Sequence, residues 1–170
     1  MSIETTVKDI LEQKQIKQII KISPDDTVFD ALRLMAMHNV GALLAMENNK
    51  IVGIMSERDY ARKVVLKNRF SRTTKVSEIM ERKVLYVIPT DTAEGCMALM
   101  TAKRIRHLPV LEKDELIGMV SIGDIVKAVI GDHKFLIDQL ICYCTGSYST
   151  GKESVQSITN DNMTEERVVN

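Results

Sequence analysis

Apolar residues recur along this chain with two different spacings, which predict strands and helices in alternation. Ala42–Met46 and Ile51–Met55 are continuous apolar runs separated by a polar turn, and they predict a hairpin of two well-buried strands. Before the hairpin, apolar residues follow at helical intervals as far as Met37, so we expect a helix there. Asp26 or Thr27 has a side chain suited to cap the first turn of that helix.

Two further elements frame this pattern. Gln18–Ile22 is a short apolar-rich segment that ends just before Pro24, and it predicts a first strand because proline cannot donate to a strand ladder. After the hairpin, we expect Ser56 to cap a second helix that extends to about Leu66. The predicted order of elements is therefore β-α-β-β-α.

The whole pattern then occurs a second time. Moving Pro24–Asp59 forward by 65 positions places it on Pro89–Asp124 without a gap, and ten of the 36 aligned pairs are identical. The second copy predicts a strand at Val84–Ile88, a helix at Thr92–Lys103, and paired strands at His107–Leu111 and Leu116–Val120, with a helix from Ser121. A duplication of this size predicts two units packed about a pseudo-two-fold axis, with a cleft along the axis.

We therefore predict an α+β fold of two β-α-β-β-α repeats packed side by side. An upstream helical turn precedes each repeat, at Val7–Leu11 and at Val76–Met80. The expected segments are residues 1–68 for the first repeat with the N-terminal segment, 69–131 for the second repeat, 132–146 for a C-terminal helix and 147–170 for a mostly disordered, polar tail. The apolar face of the helix at Lys134–Cys144 is expected to pack on the fold or to self-associate, rather than to bind a foreign partner.

Composition and charge narrow the classes of function. The 170 residues are 45% apolar and 27% charged with a formal net charge of zero, which gives no global argument for binding nucleic acid or a membrane. Arg58–Lys83 holds nine Lys or Arg against three Asp or Glu, and we interpret it as a solvated connector. An odd set of cysteines (Cys96, Cys142 and Cys144), with Cys96 on a helical apolar face, does not fit a disulfide framework. No apolar run has the length of a membrane span, so a cytoplasmic location is expected.

The end of each repeat carries the pattern that suggests chemistry. A glycine and two apolar residues lead to Ser56 and then, three residues on, to Asp59; the same pattern returns at Ser121 and Asp124. A hydroxyl with free backbone N–H groups at a helix start favours an anion. A carboxylate beside it can accept hydrogen bonds from vicinal ribose hydroxyls, so the pair suits a nucleoside phosphate.

Plain helix capping is the alternative explanation, because Ser-x-x-Asp is an ordinary capping arrangement. For one copy alone, capping is the better account. Two copies in register favour ligand binding, since capping by itself does not require Gly53 or Gly118.

The two repeats resemble CBS domains, which are named after cystathionine β-synthase. The resemblance covers roughly Thr6–Val129 and rests on the duplicated Gly-apolar-x-Ser-x-x-Asp motif, on Arg106–Val110 and on Val76–Met80. It implies a stand-alone tandem pair that forms a homodimer and binds an adenosine-containing ligand in the cleft between the repeats. The resemblance assigns ribose to the two motif aspartates, and phosphate or ribose to the two motif serines.

Basic residues near the motifs are the candidates for holding phosphate. Arg58 lies inside the first motif, and Arg106 and His107 open the second hairpin, where the first repeat has Gly41 and Ala42. In the family, the position of Arg106 faces the phosphate of a ligand held by the other repeat, which implies that the first motif is the better anion site. A solvated strand start is the alternative; binding is preferred for Arg106, and the two explanations are balanced for His107.

Pro109, in the same strand, completes the candidate ligand-binding residues. The expected function is that of a regulatory sensor binding AMP, ADP, ATP or NAD(H), without a catalytic cofactor or metal. The sequence has no plausible Ser-His-Asp or Cys-His set, no HExxH and no P-loop, so an enzyme is not expected. The alternative is a non-catalytic module that regulates a protein partner without a nucleotide. Nucleic acid is disfavoured because aromatic residues for stacking are scarce.

Overall fold

The computed structural model describes residues 4–14, 19–145 and 167–169, which form two compact units. The Asp59 unit comprises residues 19–86 and 167–169, and the Asp124 unit comprises residues 4–14 and 87–145. The helices are α1 (Val7–Gln13), α2 (Val28–His38), α3 (Glu57–Lys63), α4 (Ala93–Lys103) and α5 (Ile122–Thr145). The strands are β1 (Lys21–Ile22), β2 (Ala42–Glu47), β3 (Lys50–Ser56), β4 (Leu85–Tyr86), β5 (His107–Glu112), β6 (Glu115–Ser121) and β7 (Arg167–Val168). The predicted α+β class is confirmed.

The strand pairing in the two units follows the sequence duplication residue by residue. In the Asp59 unit, β1 lies parallel to β2 with Ile22 opposite Ala45, and β2 and β3 form the predicted antiparallel hairpin with a bulge directly after Ala45. In the Asp124 unit, β5 and β6 form the second predicted hairpin with a bulge directly after Val110, and Val87 makes a parallel bridge to Val110. Adding 65 to the residue numbers of the pair and the bulge in the Asp59 unit gives the corresponding pair and bulge in the Asp124 unit.

The first helix of each repeat begins after a threonine cap, which is Thr27, one of the two predicted candidates, in the first repeat and Thr92 in the second. The Thr27 hydroxyl accepts a hydrogen bond from Asp30 N at 3.1 Å, and Thr92 Oγ1 accepts one from Gly95 N at 3.1 Å. Each cap satisfies a backbone donor that the first helical turn leaves without a partner. Both helices end at a left-handed residue, Asn39 in α2 and Arg104 in α4.

Each unit has an apolar core between its hairpin and its helices. In the Asp59 unit the core includes Val28, Leu43 and Met55, none of which is exposed. In the Asp124 unit Cys96 and Leu108 are equally inaccessible, which confirms the prediction that Cys96 lies on a buried helical face. The side chains of Cys142 and Cys144 lie outside the described part of the chain.

The segment upstream of each repeat packs in the unit of the other repeat. Val7 N in α1 donates to Asp91 O at 2.8 Å, and Val76 N donates to Asp26 O at 2.9 Å. Asp26 and Asp91 are equivalent positions of the duplication, so the same backbone bond fixes both upstream segments. The compact units therefore divide the chain at different places from the sequence repeats.

Three elements differ from the sequence-based expectation. The helix expected to reach about Leu66 ends at Lys63 and continues as a 3-10 turn at Val65–Lys67. The C-terminal helix expected as a separate element is the second half of α5, which passes through Gly131 without a break. A glycine inside a helix costs about 1 kcal/mol relative to alanine, which a helix of 24 residues tolerates.

Within the expected, mostly disordered tail, Arg167–Val168 forms an ordered pair with Leu85–Tyr86 as antiparallel strand β7. The rest of the expected disordered tail, residues 147–166 and 170, lies outside the described residues. In the described ranges, no helix is both long enough and apolar enough to cross a membrane.

Candidate functional site

In the Asp124 unit, strand β6 runs into helix α5 through a reciprocal capping arrangement. Ser121 N and Ser121 Oγ both donate to Asp124 Oδ2 at 2.7 Å, and Asp124 N donates back to Ser121 Oγ at 3.4 Å. The Asp124 side chain is only 19% exposed, so the carboxylate is held in one orientation at the helix start. This arrangement is a capping box, and helix capping was the alternative to ligand binding in the sequence analysis.

Lys14 is a partner of Asp124 that the sequence analysis did not identify. Lys14 Nζ lies 2.8 Å from Asp124 Oδ2 and donates to Met119 O at 2.8 Å. This lysine follows α1, which packs in the Asp124 unit although it lies at the far N-terminal end of the sequence. Among the described residues, the hydrogen bonds and the ion pair that the Asp124 carboxylate makes fall on Oδ2.

Burial and charge shift two pKa values in this cluster. Burial by itself raises the pKa of Asp124, but hydrogen bonds from Lys14 and Ser121 outweigh it and hold the pKa below its usual range. Burial lowers the pKa of His107, the neighbouring charges of Lys14 and Arg106 lower it further, and the Asp124 carboxylate opposes them. At neutral pH the cluster therefore contains an ionised Asp124 and an uncharged His107.

In the Asp59 unit the same capping box recurs between β3 and α3. Ser56 N and Oγ donate to Asp59 Oδ2 at 3.0 and 2.7 Å, and Asp59 N donates to Ser56 Oγ at 3.4 Å. Here Lys63, one helical turn along α3, lies 2.9 Å from Asp59 Oδ1 and donates to Ile79 O at 2.7 Å. Both carboxylate oxygens of Asp59 are therefore engaged within the unit.

The two motif glycines have a packing role. A Cβ at Gly53 would lie 2.8 Å from Met80 Cγ, and one at Gly118 would lie 2.7 Å from Leu11 Cδ2. Leu11 and Met80 belong to the two upstream segments, so each glycine is needed for that segment to approach the hairpin. Packing therefore explains why Gly53 and Gly118 are glycines, and their presence does not favour ligand binding over helix capping.

The remaining candidates lie beside the motifs on the first strand of each hairpin. His107 is opposite Ser121 in the β5–β6 pair, and Arg106 O accepts from Ile122 N at 2.8 Å. Arg106 is exposed, and His107 is half-buried. Within the Asp124 unit, both residues therefore lie beside the Ser121–Asp124 motif, whereas the resemblance implied that Arg106 serves a ligand at the other motif, a role that stays a prediction.

Pro109 is buried on β5, opposite Met119. The equivalent first-repeat positions carry no charge: Ala42 is buried opposite Ser56, and Gly41 O accepts from Glu57 N at 3.2 Å. Arg58 is half-buried in the first turn of α3. The Asp59 motif thus lacks counterparts of Arg106 and His107 in its own unit.

Two lysines are the functional candidates that sequence analysis missed. Lys63 could have been found, because it lies four residues after Asp59 and such pairs face each other on a helix. Lys14 gave no local signal, since its link to Asp124 exists only through the packing of α1 in the Asp124 unit.

Comparison with known proteins agrees with this geometry. The family model of the CBS domain matches the chain twice, at residues 7–66 and 76–131. The chain is 41% identical over 152 residues to the CBS domain-containing protein CBSX3, mitochondrial, of Arabidopsis thaliana, an alignment that covers 85% of this chain and 74% of that protein.

Two solved structures are informative. A CBS-domain protein from Burkholderia ambifaria MC40-6 is 52% identical with a TM-score of 0.73, covering 75% of this chain and 96% of that chain. The CBS domain pair of protein MJ0100, solved in complex with 5′-methylthioadenosine and S-adenosyl-L-methionine, is 26% identical with a TM-score of 0.66, covering 75% of this chain and 98% of that chain.

The duplicated fold, with one Ser-x-x-Asp corner in each copy, is that of a tandem pair of regulatory modules. The chain belongs to the CBS domain family and carries two CBS domains in tandem.

Proposed function

We propose that this CBS pair is a regulatory module that binds an adenosine-containing ligand at its Ser-x-x-Asp motifs, with AMP, ADP, ATP and NAD(H) as the candidate ligands. The observation that carries the proposal is the repeated geometry of the two motifs. In each unit a carboxylate about 20% exposed is fixed beside a serine hydroxyl where a strand turns into a helix. An ionised carboxylate in this position is a suitable acceptor for ribose hydroxyls.

The two motifs are not equally ready to accept a ribose. Asp124 Oδ1 is available to a ligand donor within the described part of its unit, whereas Asp59 Oδ1 is paired with Lys63. A ribose at Asp59 has to displace the Lys63 ammonium or share the carboxylate with it. We therefore expect the Asp124 motif to be the stronger ribose site.

Positive charge around Asp124 favours a ligand that also carries an anionic group. Lys14 and Arg106 supply this charge beside the motif, and they are close enough to His107 to lower its pKa, so that His107 itself is uncharged at neutral pH. A phosphate beside these groups gains charge-assisted hydrogen bonds that neutral adenosine cannot make. The resemblance also implies that Arg106 serves a ligand held by Asp59, which stays a prediction.

A relative supports the class of ligand. The CBS domain pair of MJ0100 was solved with 5′-methylthioadenosine and S-adenosyl-L-methionine, and both contain adenosine. Those compounds carry no phosphate, so a positively charged motif in the present chain points to a different adenosine derivative. A homodimer and a cytoplasmic location remain predictions that come with this proposal.

A second function is favoured by one specific observation. Both motif aspartates already have partners within their own units, in a capping box and in a lysine ion pair. The same contacts would stabilise a module that never binds a nucleotide and acts only on a protein partner. The experiment must therefore separate the loss of a cap from the loss of a ligand contact.

The chain provides a matched control for that experiment at the start of α1. Thr6 N donates to Asp9 Oδ2 at 2.9 Å, Thr6 Oγ1 donates to it at 2.5 Å, and Asp9 N donates to Thr6 Oγ1 at 3.3 Å. This capping box has the geometry of the two motifs but follows no hairpin. Asp9→Ala therefore measures what a lost cap does when no ligand contact is lost.

The test is a thermal-shift and calorimetric screen with AMP, ADP, ATP, NAD⁺, NADH, S-adenosylmethionine, 5′-methylthioadenosine and GTP. A ligand present at a hundredfold excess over its Kd stabilises the folded protein by about 2.7 kcal/mol, which is readily measured. We expect an adenosine ligand to bind, Asp124→Ala to abolish most of the shift and Asp9→Ala to keep it. Equal retention of the shift by Asp124→Ala and Asp9→Ala assigns Asp124 to capping alone, and no shift with any compound favours the partner-regulating module.

Arg106→Ala sharpens the ligand assignment. We expect this variant to lose more affinity for AMP than for adenosine, because only AMP offers a phosphate to the guanidinium. Calorimetric titration of both compounds measures the two losses, and equal losses would remove Arg106 from the phosphate site.

A further inference from the structure

The segment that follows α3 carries large apolar side chains on the surface of the Asp59 unit. This segment, named here the Phe70 loop, comprises residues 65–73 and lies between two buried anchors, Val64 and Thr74. Leu66 and Phe70 within it are 75% and 77% exposed, which makes them the most exposed large apolar side chains in the described part of the chain. A single exposed apolar residue needs no explanation, whereas two in one short loop indicate a contact surface.

Hydrogen bonds of its own backbone hold the Phe70 loop in place. Several backbone N–H groups donate to carbonyl groups of residues 64–70, namely those of Lys67, Asn68, Arg69, Thr73 and Thr74. The loop is also tied to α2, because Ser71 O accepts from Phe29 N at 3.0 Å. Leu66 and Phe70 are therefore presented to solvent by a backbone whose polar groups are already largely paired.

The charge of this segment is positive. Residues 60–77 contain no Asp or Glu and six basic residues, which are Arg62, Lys63, Lys67, Arg69, Arg72 and Lys75. Three of the six pair with an acidic side chain that lies outside the segment. Arg62 and Lys67 are exposed, and Lys67 directly follows Leu66. The exposed apolar side chains thus lie among cations, which favours a partner that is both anionic and apolar.

The second repeat differs at the equivalent positions. Moving residues 60–77 forward by 65 gives residues 125–142 of α5, which contain two Lys and two Asp and therefore carry no net charge. Leu66 and Lys67 become a glycine and an aspartate there, whereas Phe70 is retained as Phe135. The combination of exposed apolar side chains and positive charge is therefore a property of the first repeat and is not required by the duplicated fold.

We propose that the Phe70 loop is a contact surface for a membrane of anionic phospholipid, with Leu66 and Phe70 inserted between the headgroups. Basic residues are attracted to an anionic membrane surface, and leucine or phenylalanine beside them enters the boundary between headgroups and acyl chains. Backbone polar groups that are paired within the loop suit that boundary, where water becomes scarce.

A peptide partner is less well matched to this surface. Peptides commonly bind by adding a strand to free backbone donors and acceptors or by entering an apolar groove. The backbone of the Phe70 loop is engaged internally, and Leu66 and Phe70 project with about three-quarters of their surface in solvent. The contact with lipid is peripheral and reversible, since it involves one short loop.

The experiment is co-sedimentation of the full chain with two kinds of vesicle, one of phosphatidylcholine alone and one of equimolar phosphatidylcholine and phosphatidylserine. We expect binding to the mixed vesicles only, and added salt should weaken it. Phe70→Ser is expected to weaken that binding roughly tenfold, because the inserted ring is lost. Lys67→Gln is expected to weaken it about fivefold through the loss of one charge near the surface.

Phe135→Ser is the matched control. Phe135 is the equivalent of Phe70 in the duplication and is 45% exposed, but its segment has balanced charge. We expect this variant to bind vesicles like the natural chain, and circular dichroism establishes that each variant keeps its helices.

Several outcomes overturn the proposal. It is wrong if the natural chain binds neither kind of vesicle or binds both equally, or if Phe135→Ser loses as much binding as Phe70→Ser. Full binding by Phe70→Ser with weaker binding by Lys67→Gln would leave only a general attraction to anions, such as an acidic protein or a nucleic acid. A lower mass of free Phe70→Ser in analytical ultracentrifugation would instead assign the loop to a second copy of this chain.

Discussion

The Asp59 and Asp124 motifs have the same capping box but draw their lysine from different parts of the chain. Lys63 reaches Asp59 from one turn along the same helix, whereas Lys14 reaches Asp124 from the segment after α1. At the position of Lys63 the second repeat has Ala128, so the local pair cannot form there. The duplication has therefore kept the cation beside the carboxylate while changing the element that supplies it.

The difference in origin has a consequence for how each motif is connected to its unit. Lys63 Nζ also donates to Ile79 O, in the upstream segment that packs in the Asp59 unit, and Lys14 Nζ donates to Met119 O on β6. In both units a lysine thus links the motif carboxylate to the upstream segment. A ligand that displaces Lys63 from Asp59 removes one of the two bonds of that lysine, whereas a ligand at Asp124 Oδ1 leaves both bonds of Lys14 in place.

The largest expected difference between the repeats comes from their glycines. Gly53→Ala places a methyl group against Met80 and 3.1 Å from Glu81 O, and that backbone is fixed by its bridge to Ile54. Gly118→Ala meets only the flexible end of Leu11. We expect a loss of about 2–3 kcal/mol in unfolding free energy for Gly53→Ala and about 1 kcal/mol for Gly118→Ala. Urea unfolding followed by circular dichroism measures both, and a larger cost at Gly118 would contradict this explanation.

The next effect concerns the two lysines. Lys14→Met removes a pair whose side chains are 28% and 19% exposed and leaves a half-buried carboxylate without its cation, at a cost of about 1–2 kcal/mol. Lys63→Met removes an i,i+4 pair in which the lysine is 41% exposed, and should cost about 0.5 kcal/mol. Lys8→Met, on the exposed side of α1, is the control for changes in that segment. Denaturant titrations measure the loss of unfolding free energy in both variants. Equal losses for Lys14→Met and Lys63→Met would show that stability does not depend on which segment supplies the lysine.

A smaller effect concerns the pH dependence of the unfolding free energy, to which His107 of the Asp124 unit contributes. The pKa of His107 is lowered by burial and by Lys14, so folding favours neutral histidine, and its contribution to stability is complete above the ordinary value of 6.5. That contribution decreases as the pH falls from 6.5 through the folded-state pKa, because the unfolded chain then binds the additional proton. His107→Gln is expected to flatten this part of the pH dependence. Unfolding free energies at several pH values give the slope, and an unchanged slope would exclude His107 as its source.

The smallest effect is at the hairpin turns. Asn48 and Asn49 have φ of 48° and 61°, and the second repeat has Lys113 and Asp114 at 50° and 64°. Asparagine accepts this left-handed conformation more readily than lysine. Lys113→Asn should therefore raise the unfolding free energy by about 0.5 kcal/mol, and Asn48→Lys should lower it by a similar amount. Thermal unfolding of both variants compares them, and opposite signs would refute the conformational explanation.

Much of the fold could be predicted because its signals are local. The apolar runs of the two hairpins, the caps at Thr27 and Thr92 and the shift of 65 positions are all visible in the sequence, and the strand pairing follows them. The continuity of α5 was missed because Gly131 and the end of the repeat resembled a boundary. The helix continues since its backbone hydrogen bonds outweigh the cost of one glycine.

The candidate site, like the fold, could be predicted only in part from the sequence. Ser56, Asp59, Ser121 and Asp124 were identified from their spacing, and the capping geometry that the sequence offered as an alternative is present in both units. The role of Gly53 and Gly118 was misjudged, because the atoms that approach them belong to segments distant in the sequence. A glycine pattern alone does not distinguish close approach by a ligand from close approach by another part of the chain.

The sequence by itself determined the two β-α-β-β-α repeats, the caps of their helices and the family, because periodicity, capping and duplication are properties of neighbouring residues. Only the tertiary structure decided that each upstream segment packs with the other repeat, that Leu11 and Met80 require the two glycines, and that Lys14 pairs with Asp124. Those contacts join residues far apart in the chain, and they are selected by shape and charge in the folded state.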